Sequence, residues 1–95
     1  MSDYRNGLWR IPEHMHEAIT EWIETARIEP RLMGSFLRAV LTNDLMGAFG
    51  HADEENAASM RAWVMFLYND APQPCFGSIE KLQAWHERGG LQGRS

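Results

Sequence analysis

Apolar residues recur at spacings of three and four along most of the chain, the period of helices that bury one face. Met15, Ala18, Ile19, Trp22, Ile23 and Ala26 form the first such stripe. Pro12 opens it, at a position where a missing N–H costs nothing, and Pro30 forces an end before it. A second helix runs from Ser35, an N-cap by type, through Phe36–Leu41. Thr42, Asn43 and Asp44 are poor helix formers and good cappers, so they divide this helix from a short third one, Leu45 to Phe49. Asn43 is the expected cap, with Asp44 in the first turn and Gly50 as the stop.

Asp53 caps the next helix, Glu54 to about Tyr68. Met60, Trp63, Val64 and Leu67 line one side of it, and Ala62, Met65 and Phe66 another, which predicts a central helix covered nearly all round. Pro72 and Pro74 keep residues 73–77 out of helix. Ser78 then caps Ile79–Arg88, and Gly89-Gly90-Leu91 has the form of a glycine C-cap. No period-two alternation persists, so strands are not supported. The expectation is an all-α fold: a compact bundle of four to five short helices around the central helix at about 54–68. Residues 1–95 form a single helical domain in this reading, with residues 1–10 an N-terminal arm that folds back on the core and 92–95 a loose tail.

Asp44 conflicts with this pattern. It falls on the stripe that Leu37, Val40, Leu41, Leu45 and Ala48 would bury. A carboxylate there is either part of a helix boundary or a buried partner of an arginine, and the boundary is the more economical explanation.

Composition narrows the function classes. The formal charge of −4 argues against a broadly basic nucleic-acid surface. Eight of the nine basic residues are arginine, a pattern that suits protein interfaces and that genome composition also produces. Cys75 stands alone, leaving no intramolecular disulfide. The longest apolar run, Ala62–Tyr68, is far short of the roughly 20 residues that cross a bilayer. No membrane association and a cytoplasmic location are the expectations.

Candidate chemistry is sparse. His14 and His16 are two apart, so one helix cannot turn both to a metal, and neither His51 nor His86 completes a ligand spacing. Cys75 sits in the loop after Pro72 and Pro74 without an evident base, and the glycines form no phosphate loop. No enzyme, cofactor or metal is expected. The more informative signal is acidic: Glu13, Glu17, Glu21 and Glu24 share one quadrant of the first helix, with no lysine or arginine at i+4 to relieve them, the next being Arg27. Like charges at that spacing cost a few tenths of a kcal/mol per pair. The row is either a solvated face or a partner-binding surface that meets a basic protein or imitates a row of phosphates. A competing reading takes 35–42 and 45–49 as a helix-turn-helix, with Arg31, Arg38 and Arg61 on phosphates. A homodimer with a virion or replication role is a third.

The segments Ile11-Pro-Glu-His14, Gly34 to Leu45, Ala48-Phe49, Ala52-Asp53, Leu67-Tyr-Asn69, Ala71-Pro72, Cys75, Gly77-Ser78 and Trp85 resemble a group of small proteins encoded by bacteriophages and prophages. The resemblance covers about residues 11 to 88 and carries no catalytic residue. It implies an accessory protein acting in a bacterial host's cytoplasm by binding a host protein or complex. An inhibitor of a defence system, anti-CRISPR-like, is the leading expectation. Direct nucleic-acid binding is the less favoured alternative.

Overall fold

The computed structural model describes residues 3–93, and among them only helices and turns occur. Six α-helices follow one another: α1 (His16–Glu24), α2 (Ser35–Leu41), α3 (Leu45–His51), α4 (Glu54–Ala58), α5 (Met60–Asn69) and α6 (Ile79–Arg88). Five single 3₁₀ segments join or precede them, the longest at Tyr4–Arg10. The expected all-α class is what the chain adopts. No helix among the described residues is long and apolar enough to cross a membrane.

The core gathers around three tryptophans. Trp63 is fully buried, and Trp22 and Trp85 nearly so. Burying an indole requires an acceptor for its N–H. Trp85 donates to the Trp22 carbonyl at 2.9 Å, and Trp22 to the Cys75 carbonyl at 2.9 Å. Trp63 donates at 3.0 Å to the side-chain carbonyl of Asn56, the one buried polar residue among those described. Phe36 meets Trp63 edge to face at 5.6 Å. Three pieces of α1, α5 and α6 are thereby fixed by hydrogen bonds as well as by packing.

Several local expectations change. The stretch 54–68 is two helices, broken at Ser59 (φ −104°, ψ 14°), and α5 is left open along Arg61, Val64 and Tyr68, with Ala62 and Met65 half-buried. Met60, Trp63, Phe66 and Leu67 face inward, while Val64 and Tyr68 are exposed. The molecule measures 19 Å along its shortest axis, about two helix diameters, so a helix has one neighbour layer and one open side. The first helix starts as a 3₁₀ turn at Glu13–Met15 and ends at Glu24, well before Pro30. Ala26 leaves it with φ 47°, and its carbonyl accepts from His86 Nδ1 at 2.7 Å. Ala18 is exposed rather than buried.

At the opening of α3 the division falls where the sequence puts it, but the roles shift by one. Asn43 takes the left-handed conformation (φ 66°), and Asp44 is the cap, accepting from the Gly47 N–H at 3.0 Å. Asp44 is exposed, so no buried arginine is paired with it. Gly34 rather than Ser35 precedes α2, and α3 runs through Gly50 to His51. Asp53 and Ser78 cap as expected, accepting from Asn56 N–H at 2.7 Å and Lys81 N–H at 3.2 Å. Gly89 closes α6 with φ 87°.

The N-terminal segment Tyr4–Arg10 packs on α5, with Tyr4 buried. Trp9 remains 72% exposed, with the Arg10 guanidinium over its ring at 4.7 Å. The expected loose tail is held at least in part: Gln92 donates to Glu24 at 3.2 Å, and residues 94–95 lie outside the described residues.

Candidate protein-interaction surfaces

The four glutamates of the sequence reading fall into two groups. Glu17 and Glu21 lie one turn apart on α1 and are exposed, and Glu13 is exposed on the turn before it. None of the three enters an ion pair among the described residues. Glu24 is different. Its carboxylate accepts from the Tyr4 hydroxyl at 2.5 Å, from Arg5 at 2.6 Å and from Gln92 at 3.2 Å. The hydrogen bond from Tyr4, then that from Gln92 and the Arg5 charge, hold its pKa below the ordinary value against the cost of burial. The Tyr4 phenol is pushed up, first by burial and then by the same carboxylate. Glu24 therefore fastens the Tyr4–Arg10 segment and Gln92 together and is withdrawn from the acidic row.

At Glu21 the row meets an apolar cleft. Glu21, Ala18 and Trp22 from α1, with Ile28, Leu32 and Leu37, line a space of about 120 Å³. Ile28 and Leu32 are exposed there, Leu32 at 69%. Arg27 lines the same cleft and has no ion pair among the described residues.

A second surface escaped the sequence reading. Leu45 is expected to bury with Ala48, yet only Ala48 does, and Met46 and Phe49 stand exposed beside Leu45. The three lie within a 100° arc of α3, by the 3.6-residue period, and point outward. Across a groove of about 240 Å³ stand Val64 and Tyr68 of α5, and Trp63 and Met60 form its floor. The signal was present in composition: from Leu45 to Gly50 no side chain is polar, and seven residues of helix cannot hide every side. Arg61, on the same stripe as Val64 and Tyr68, is the only charged residue of α5.

The remaining suspects are structural. Cys75 is buried, and burial pushes its thiol up to about 12, which suppresses the thiolate. His16 meets the Ile11 carbonyl at 3.1 Å. His14 sits between Asp53 at 3.1 Å and Glu55 at 3.3 Å, tying the Glu13–Met15 turn to the start of α4. No group of three or more potential metal ligands occurs among the described residues.

The helix-turn-helix reading meets α2 and α3 packed together. The second helix, which would enter a groove, offers Leu45, Met46 and Phe49 behind an exposed aspartate. Arg31 is paired with Glu29 at 3.0 Å, and Arg38 donates to the Arg31 carbonyl at 3.4 Å. No family model, curated protein or solved structure matches the chain.

Proposed function

We propose that this chain is a small non-catalytic accessory protein that acts by binding another protein through the α1 surface. The observation that carries the reading is a contrast within one row: Glu24 is fully partnered, while Glu13, Glu17 and Glu21 stand unpaired, and Glu21 lines a cleft with exposed Ile28 and Leu32. Carboxylates without cations, next to apolar side chains, fit a partner face that is basic and partly apolar. Such a face is common on proteins that hold nucleic acid, and a row of carboxylates can occupy it in place of phosphates. Inhibition of a host defence complex is the function this chemistry suits, and the phage setting rests on the sequence resemblance alone.

The test is affinity capture from a bacterial host expressing the tagged chain, at low and high salt. A captured host protein should be lost when Glu17→Lys and Glu21→Lys are combined, and its retention should fall as salt rises. Leu32→Glu should weaken capture as well. Retention of the same partner by the doubly reversed variant would remove α1 from the proposal.

A further inference from the structure

We propose that the α3–α5 face is a self-association surface, covered by a second copy of this chain related by a two-fold axis. In that pairing Leu45, Met46 and Phe49 of each copy enter the groove beside Val64 and Tyr68 of the other. Asp44 of each copy meets Arg61 of the other.

Three observations favour a second copy over a different protein. The face carries both halves of a joint: a projecting apolar row on α3 and a groove in front of α5. A two-fold interface requires that one patch complement itself, and a row beside a groove does so. The face also carries both signs of charge. Asp44 caps α3, Arg61 lies in the first turn of α5, and neither has an ion pair among the described residues. Each supplies what the other copy lacks. Finally, the charges of α5 and of α3 with its cap are one acid and one base, ahead of His51. The whole chain carries −4, so this is a face on which two copies approach with little repulsion. Methionine and aromatic residues, here Met46, Phe49 and Tyr68, are the types that interfaces enrich. The acidic α1 row is formed by other residues and is not consumed by the pairing.

Sedimentation equilibrium of the full chain across a wide concentration range reads the result directly. The mass should rise from 10.9 kDa toward twice that value. Val64→Glu and Met46→Glu, both at exposed positions, should keep their circular dichroism and weaken association at least ~30-fold, as loss of a central apolar anchor does. The charge pair gives a sharper reading. Asp44→Arg alone and Arg61→Glu alone each place like charges at both ends of the pairing and should weaken it about tenfold. An equimolar mixture of the two variants restores opposite signs at both contacts, so the mixture should associate more tightly than either variant by itself. A monomer at every concentration overturns the proposal and leaves the face to a different protein. A dimer indifferent to Val64→Glu overturns it too, and a mixture no tighter than its components overturns the Asp44–Arg61 pairing.

Discussion

Glu24 shows how one side chain can change its meaning between sequence and structure. Its spacing from Glu13, Glu17 and Glu21 places it in an acidic row, yet Tyr4, Arg5 and Gln92 all donate to it. Nothing in the local sequence announces partners 20 and 68 residues away. The consequence is measurable as a function of pH. Because the folded carboxyl titrates below its ordinary 4.5, its stabilisation is complete above that value and fades as pH falls through the lowered one. Tyr4 has the opposite sign: its folded pKa is raised above 10.0, so its contribution holds below that pH and is lost on further alkalinisation. Urea midpoints should be flat between those limits and decline on both sides. Glu24→Gln should remove about 1–2 kcal/mol at neutral pH and flatten the acid limb. Tyr4→Phe should flatten the alkaline one. An unchanged acid limb in Glu24→Gln would show that another carboxyl controls it.

Among the elements, those with strong local signals matched the sequence reading and those defined by tertiary contact did not. The Asp53 and Ser78 caps, the glycine end of α6 and the break at 42–44 each depend on neighbours within four residues. The early end of α1 does not. The left-handed Ala26 meets His86 from α6 through its carbonyl, and Gly90 lies so close to α1 that a Cβ there would stand 2.6 Å from the Glu24 carbonyl. The interruption at Ser59 and the outward turn of Leu45, Met46 and Phe49 also depend on what is packed nearby. Two substitutions separate the local from the tertiary class. Asp44→Ala removes a cap on an exposed helix end and should cost about 1 kcal/mol. Gly90→Ala adds positive-φ strain to a backbone clash and should cost about 3 kcal/mol. Thermal unfolding of both variants tests the order, and equal losses would contradict it.

At the scale of the whole molecule, the bundle class follows from helical periodicity, and the thinness of the bundle explains the chief misreading. A sequence pattern that is apolar on two sides means a buried helix only if there is enough protein to bury it. A body 19 Å thick cannot cover α5 on both sides. Apolar side chains left over therefore form a surface, and that surface is where association is proposed. The acidic row was readable because charge spacing is local, while the cleft beside it was not, because Ile28 and Leu32 reach it through the irregular segment after Ala26. The charges of the α1 surface are therefore legible in the sequence, while its cleft and the whole of the α3–α5 surface are not.

The convergence of Tyr4, Arg5 and Gln92 on one carboxylate has a topological consequence. The segments carrying Tyr4–Arg5 and Gln92 meet at the same spot, so a short linker between residues 3 and 93 can join them without distorting either. A circular permutant opened between Gln73 and Pro74, both exposed, should fold with the native circular dichroism. A permutant opened between Thr20 and Glu21, inside α1, should not.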